Sequence, residues 1–289
     1  MRYCIVDPTG NITALVESEI EVARQPSVGA ELMRRHPEVE QVGFVQLVSG
    51  GVPDEPLAGT LRMAGGEFCG NASISAAALC LLRAEEARGV SIANQGNTQD
   101  PCVVSLRVSG AARPVEVRLF REAPKAFKAA IRMPEAQDIS WKVLSYGDVS
   151  AKVPVVALEG ISHIVIEADN LFFSLLDKPD VAEEAVKAWC KQLGADGLGL
   201  MFLEKEGPSR KLTPLVYVAD GDTVFWEHSC ASGSAATALY LAERLGAFAD
   251  EELVEPGGSL RVTCDPTTGE TWLYGSARIV EEASISQSS

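Results

Sequence analysis

The sequence lacks the features of several large protein classes. Its 289 residues carry a formal net charge of −15, so it has no excess of positive charge for binding DNA, RNA or an anionic membrane. No apolar run approaches the roughly 20 residues that cross a bilayer, and no signal-peptide pattern follows Met1. We therefore expect a cytoplasmic protein without nucleic-acid or membrane partners.

The cysteines disfavour two further classes. There are seven, an odd number, and no two of them have Cys-x-x-Cys spacing. This disfavours a secreted disulfide framework and a zinc ribbon, and no metal site is expected. The pair Gly257-Gly258 also lacks the spacing of a phosphate-binding loop.

What is present indicates a globular protein of two domains. Apolar residues make up 46% of the chain and charged residues 22%, and the chain is longer than one compact core usually holds. Each half contains strands, one surface helix, more strands, a cysteine and a central apolar helix. We predict a duplicated α/β (α+β) fold with domains at residues 1–124 and 125–271, and a last strand, about 272–283, that returns to the first domain. The helices are predicted at residues 27–36, 73–87, 181–192 and 234–245, and a turn at residues 50–53.

Two cysteines occupy nearly the same sequence context in the two halves. Glu67-Phe68-Cys69-Gly70-Asn71 and Glu227-His228-Ser229-Cys230-Ala231 each lead into an apolar, Ala-rich segment. A helix N-terminus favours a thiolate, and its N–H groups can hold a carboxylate. Two such thiols on opposite faces of a carbon could remove a proton from one face and return it to the other. The remaining cysteines fit the ordinary role of small core residues.

Five motifs, in the same order along the chain, resemble those of the diaminopimelate epimerase superfamily. They are Thr9-Gly10-Asn11, Cys69-Gly70-Asn71, Gly160-Ile161-Ser162-His163, Phe225-Trp226-Glu227-His228 and Cys230-Ala231-Ser232-Gly233. The resemblance implies two pseudo-symmetric domains, each a curved, mostly antiparallel sheet or barrel around a central helix, with the site in the cleft between them. It also implies inversion of an amino-acid α-carbon by two bases without a cofactor.

The resemblance assigns roles to the matching residues. Cys69 and Cys230 are the implied acid–base pair, and a homodimer is left open. From its own position on a strand, Gln46 is a candidate contact for the substrate side chain, although a solvent-facing role fits it equally well. The residues implied to hold the substrate carboxylate or ammonium, or to line the pocket, are Asn11, Gly70, Asn71, His163, Glu227, Ala231 and Ser232.

The departures from the superfamily pattern concern the substrate. Ile161 stands where the epimerases have an asparagine, and His228 where they have an arginine for the distal end of diaminopimelate. A buried distal carboxylate without partners is costly, so we expect a different amino acid. The run from Met63 to Ala72 and the short loop before Cys230 look most like the histidine racemases of opine-metallophore pathways, which implies histidine as the substrate.

Several alternatives stay open. The substrate could be diaminopimelate or another amino acid. The chain could be an isomerase like those of phenazine biosynthesis, but they use a carboxylate where this chain has Cys69. A binding protein that has lost the chemistry is harder to reconcile with two retained thiols. His228, two residues before Cys230, also permits a Cys–His nucleophile, which would leave Cys69 without a role.

Overall fold

The chain divides into two compact units. The computed structural model describes residues 1–48, 58–89 and 100–285, so the turn predicted at residues 50–53 lies outside the described residues. Unit 1 is Met1–Arg132 together with Tyr274–Ser289, and unit 2 is Met133–Leu273. No helix in the described part of the chain is long and apolar enough to cross a membrane.

The described residues of unit 1 form a closed ring of eight strands. The last strand, β16, pairs with both β7 and β1 and so closes the ring. Neighbouring strands are antiparallel except for the parallel pairs β2–β3 and β4–β5. The strands are β1 (Arg2–Asp7), β2 (Thr13–Val16), β3 (Gln41–Leu47), β4 (Gly59–Met63), β5 (Cys102–Val108), β6 (Val115–Ala123), β7 (Ala126–Arg132) and β16 (Thr271–Ser284).

Two helices connect the parallel strand pairs of unit 1, because parallel strands need a crossover connection. The surface helix α1 (Gln25–Arg35) follows a short 3-10 turn at Val22–Arg24 and buries one face. The central helix α2 (Gly70–Arg88) is buried on every side over its first three turns, since small residues there let six strands pack around it. It ends at Gly89, which takes the left-handed conformation with φ +65°.

Unit 2 repeats this element order. Its strands also curve around a central helix, and its parallel pairs are β10–β11 and β12–β14. β13 pairs with the last four residues of β12, Leu215–Val218, whereas β14 pairs with Arg210 and Lys211 near the start of β12. The strands are β8 (Asp138–Tyr146), β9 (Val149–Leu158), β10 (Ile161–Glu167), β11 (Gly197–Glu206), β12 (Ser209–Val218), β13 (Thr223–Trp226), β14 (Ala249–Glu255) and β15 (Gly258–Cys264).

The helices of unit 2 differ in the same way as those of unit 1. The surface helix α3 (Pro179–Leu193) follows a 3-10 helix at Leu171–Asp177 and buries a single stripe. That stripe, at the spacing expected of an amphipathic helix, consists of Ala182, Ala185, Val186, Trp189 and Cys190. The central helix α4 (Ala231–Leu245) is buried on all sides up to Ala242 and packs against five strands. The predicted fold class, two similar halves each wrapped around a central helix, is confirmed.

Three details differ from the sequence-based expectation. The central helices begin at Gly70 and Ala231, three residues earlier than predicted, because the small residues after each cysteine already adopt helical geometry. Strands β8 and β14 were not predicted. The boundary predicted after residue 124 falls in the turn between β6 and β7, which are hydrogen-bonded neighbours within unit 1; the division lies after Arg132.

Candidate active site

In unit 1, Cys69 forms the N-cap of α2. Its backbone is extended, with φ −133° and ψ 116°. The loop leading to it is held by Ser109, whose hydroxyl donates to the carbonyl of Glu67 at 2.8 Å. A Cβ on Gly110 would lie 2.3 Å from the backbone nitrogen of Phe68, so only glycine permits this approach. The segment just after β5 therefore fixes where the thiol sits.

The sulfur of Cys69 is part of a hydrogen-bond chain that ends at Asn11. Its thiol donates to Oε1 of Gln41 at 2.9 Å, and its sulfur accepts the N–H of Ala72 at 3.4 Å. Nε2 of Gln41 donates to Oγ1 of Thr13 at 2.7 Å, and Thr13 donates to the carbonyl of Asn11 at 3.0 Å. Because the Thr13 hydroxyl donates to Asn11, it can only accept from Gln41, so the Gln41 amide turns its nitrogen to Thr13 and its oxygen to the sulfur.

The other predicted residues of unit 1 fall into two groups. Asn11 is buried and linked to Cys69 through this chain, while Gly70 and Asn71 form the first turn of α2 beside the thiol. Gln46 lies towards the other end of β3 and is exposed. The glutamine of β3 that contacts Cys69 is Gln41, which the sequence did not single out.

In unit 2, Cys230 forms the N-cap of α4 with φ −122° and ψ 97°. It is 4% exposed. The segment that delivers it leaves β12 where the neighbour of that strand changes from β13 to β14. There the N–H of Glu227 donates to the carbonyl of Pro214 at 3.1 Å. At this change of neighbour the chain leaves the edge of β12 and turns inward to the buried Cys230.

A buried serine connects Cys230 with His163. Oγ of Ser232 lies 3.1 Å from Nε2 of His163 and 3.7 Å from the sulfur of Cys230. The other ring nitrogen, Nδ1, is buried without a hydrogen-bond partner among the described residues. It faces Gly199 on β11, where a Cβ would lie 2.3 Å from it. The imidazole therefore fills the space that a side chain at position 199 would need.

Close packing also fixes the first turn of α4. A Cβ on Gly233 would lie 2.1 Å from the sulfur of Met201 and 3.1 Å from that of Cys230. Since Met201 is fully buried on β11, it cannot move aside without disturbing the core. The glycine after Cys230-Ala231-Ser232 is thus a packing requirement of this site.

The carboxyl group of Glu255 lies beneath the N-terminus of α4. Its Oε2 accepts the N–H of Cys230 at 2.6 Å, and its Oε1 accepts the hydroxyl of Ser234. Glu255 ends β14 and is 4% exposed. A buried carboxyl therefore contacts the residue that carries the thiol.

Burial governs ionisation in this cluster. It raises the pKa of the Cys230 thiol well above 9.0, and the carboxylates of Glu227 and Glu255 raise it further. It raises the pKa of Glu255 to about 8, against the hydrogen bonds from Ser234 and the Cys230 N–H. It lowers the pKa of His163 to about 3. Neutral pH therefore favours a thiol, a protonated carboxyl and a neutral imidazole.

The structure brings the predicted residues of unit 2 together. Ala231 and Ser232 follow Cys230 in the first turn of α4, Ser232 contacts His163, and the Glu227 carboxylate hydrogen-bonds the Cys230 thiol. His228, considered as a partner for Cys230, has an exposed side chain, and the ring linked to the thiol is that of His163.

Sequence reasoning missed Gln41, Ser234 and Glu255. Gln41 and Glu255 stand on strands 28 and 25 residues from the thiols they serve. For Glu255 a signal existed. Alternation along β14 puts it on the same inward face as Leu253, and a glutamate on an apolar face is unusual.

The family model of the histidine racemase CntK N-terminal domain matches residues 1–284 of this chain. A histidine racemase of Fusobacterium nucleatum subsp. nucleatum is 29% identical over 292 residues, covering 99% of this chain and 97% of the relative. A histidine racemase of Staphylococcus aureus strain Mu50 is 26% identical over 267 residues, covering 91% of this chain and 88% of the relative.

Solved structures share the fold. A probable proline racemase from Agrobacterium radiobacter K84 superposes with a TM-score of 0.66 at 12% identity, covering 99% of this chain and 93% of that one. A hydroxyproline epimerase from Agrobacterium vitis gives a TM-score of 0.64 at 10% identity, covering 98% and 91%. The family match spans nearly the whole chain, so the protein belongs to the histidine racemase CntK N-terminal domain family and is an isomerase of the racemase class.

Proposed function

We propose that the protein interconverts L- and D-histidine by moving the α-proton between the two faces of the carbon, with Cys69 and Cys230 as the two bases and no cofactor. Histidine as the substrate is supported by the relatives, which are named histidine racemases and align along nearly the whole chain. It is also supported by the sequence, since the residues that bind the distal end of diaminopimelate are replaced by Ile161 and His228.

The observation that carries the two-base proposal is the repeated position of the cysteines. In each unit, a cysteine in extended conformation directly precedes the central helix. The helix N-terminus bears a partial positive charge and N–H groups without helical partners, which favour an anion. A thiolate and a substrate carboxylate are the two anions that the reaction needs at this position.

In the proposed reaction, one proton leaves the α-carbon and another is added to its opposite face. The thiolate of one cysteine takes the α-hydrogen as a proton, and the electrons of the C–H bond spread into the substrate carboxylate. The thiol of the other cysteine gives its proton to the opposite face, which inverts the centre and leaves a thiolate. Backbone N–H groups of Gly70, Asn71, Ala231 and Ser232 would stabilise the charge that grows on the carboxylate.

The remaining predicted residues have supporting roles in this proposal. Glu227 would hold the substrate ammonium, and its carboxylate also keeps the Cys230 thiol protonated at rest. Neutral His163 would orient Ser232 through Nε2. Asn11 would line the pocket beside Cys69. Gln46 remains a candidate contact for the substrate side chain, to be compared directly with Gln41.

Deuterium wash-in tests both the substrate and the bases. Enzyme under reducing conditions in heavy water is given L-histidine and a panel of other L-amino acids, and α-deuterium and optical rotation are followed. Histidine should incorporate deuterium and racemise. Cys69→Ala and Cys230→Ala should each lose at least about 100-fold in kcat, the lower end of the contribution of one acid–base group.

The control is Cys102→Ser, a half-buried thiol on β5 that has no role in the proposal and should leave the rate unchanged. Racemisation of another amino acid in place of histidine would overturn the assignment of histidine as the substrate. Unimpaired turnover in either alanine variant would overturn the two-thiol mechanism.

A further inference from the structure

Glu255 is a buried acid for which the proposed reaction has no use. It lies on the inward face of β14, and both of its carboxyl oxygens point at the start of α4. Of these contacts, the one with Cys230 is made to the backbone N–H, so the carboxyl supports the backbone of the cysteine. This is the geometry of a residue that positions the N-cap.

The surroundings of Glu255 disfavour its negative charge. The acidic groups that face it are the Cys230 thiol at the start of α4 and Glu227 in the segment after β13. The polar groups are the hydroxyl of Ser234, also on α4, and, one step further, the Ser232–His163 pair that joins α4 to β10. Burial and the Glu227 charge raise the pKa of Glu255 to about 8, and the imidazole of His163 brings no charge.

An ionised Glu255 would disfavour both functions proposed for the start of α4. A carboxylate at this position cancels part of the positive end of the helix, where the substrate carboxylate is expected to bind. It would also disfavour the Cys230 thiolate, which forms in every turnover. A neutral carboxylic acid keeps both contacts without either effect, since one oxygen can accept the N–H of Cys230 while the other, as O–H, donates to the Ser234 hydroxyl.

We propose that Glu255 is a positioning residue that supports the reaction only as the neutral acid, so that its ionisation sets the alkaline limit of activity. This inference rests on the proposed function, since it assumes that a carboxylate substrate meets the N-terminus of α4. The two enantiomers are equally stable in water, so kcat/KM must be the same in both directions and either one can be used for the test.

The test is the pH profile of kcat/KM for three proteins. In the wild type, kcat/KM should fall about tenfold per pH unit above the titration of Glu255. Glu255→Gln keeps the shape and cannot ionise, so its decline should begin at least about one pH unit higher. Glu252→Gln makes the same change at an exposed position of β14 and should keep the wild-type profile. An unchanged alkaline limb in Glu255→Gln would overturn the proposal, as would a folded variant without activity at any pH.

Infrared difference spectroscopy gives a readout that needs no turnover. The wild type minus Glu255→Gln spectrum should contain a carboxylic acid C=O band at pH 6 that disappears by about pH 9. Absence of that band at pH 6 would show that Glu255 is ionised and would overturn the proposal. If histidine is not the substrate, the wash-in panel fails while this band persists, so the two failures are distinguishable.

Discussion

At the scale of single residues, the two thiols have chemically different neighbours. Cys69 donates to a neutral amide, Gln41, whose orientation is fixed by Thr13. Cys230 is surrounded by the carboxyl groups of Glu227 and Glu255. An amide tolerates a thiolate far better than a carboxylate does, because only the carboxylate adds a like charge. The hydrogen bond from Cys69 to Gln41 therefore brings no like charge to its sulfur, whereas the carboxyl groups beside Cys230 do.

A charge introduced at Gln41 tests this difference. Gln41→Glu places a carboxylate at 2.9 Å from the Cys69 sulfur, if the side chain keeps its position, and so disfavours the thiolate. The acid limb of the kcat/KM profile should move up by about one pH unit, with about a tenfold loss of activity on that limb. The measurement is the profile with L-histidine between pH 5 and 9.

Gln46→Glu is the matched comparison, since it makes the same change on the same strand at an exposed position. Its profile should move much less, because water screens an exposed charge. An equal shift in the two variants would contradict the assignment of Gln41 as the partner of Cys69 and would favour Gln46 as a residue of the site.

At the scale of elements, the parallel pair β10–β11 has room for the His163 ring because its partner on β11 is a glycine, Gly199. His163 and Gly199 are partners in the register of these strands, and the ring lies over the glycine. Gly199→Ala puts a methyl group 2.3 Å from Nδ1, so the ring must shift and its contact with Ser232 must change. We expect a loss of about 1–3 kcal/mol in the free energy of unfolding and a lower kcat.

Gly197→Ala on the same strand is the control for this variant. Its Cβ would meet its closest neighbours at 3.3 Å and 3.4 Å, which small movements can relieve. Urea unfolding should show a clearly smaller loss than for Gly199→Ala, and kcat should stay close to that of the wild type. Equal losses of stability in the two variants would mean that the backbone of β11 disfavours alanine at both positions. The clash with His163 would then not be the cause of the loss in Gly199→Ala.

Which elements the sequence predicts depends on how their side chains are divided between core and solvent. The central helices α2 and α4 were predicted from their apolar, Ala-rich runs, each with a start three residues too late. β8 was missed because Leu144 is its only fully buried residue, so no alternation marks it. β14 was missed because acidic residues occupy most of its positions, including the buried one at Glu255. The thiols were found from local context, whereas Gln41 and Glu255 come from distant strands that only the fold brings near.

At the scale of the whole molecule, two buried groups of unit 2 make stability depend on pH with opposite signs. His163 has an ordinary pKa of 6.5 and a folded pKa of about 3. Between these values the unfolded chain binds the additional proton, so this stabilisation is lost as pH falls. Glu255 has an ordinary pKa of 4.5 and a folded pKa of about 8. Between those values the folded protein binds the additional proton, so stability is lost as pH rises.

The Glu255 contribution can be isolated by comparing variants over the pH range in which it acts. A full proton difference changes the free energy of unfolding by about 1.4 kcal/mol per pH unit. Glu255→Gln removes that dependence, so its stability relative to the wild type should increase steadily from pH 5 to pH 8 in urea unfolding. His163→Gln should gain relative to the wild type in the other direction, as pH falls below 6.5. Parallel curves for Glu255→Gln and the wild type would mean that the carboxyl is already ionised in the folded protein. In that case the negative charge beside Cys230 would be permanent, and the alkaline limit of activity would need another cause.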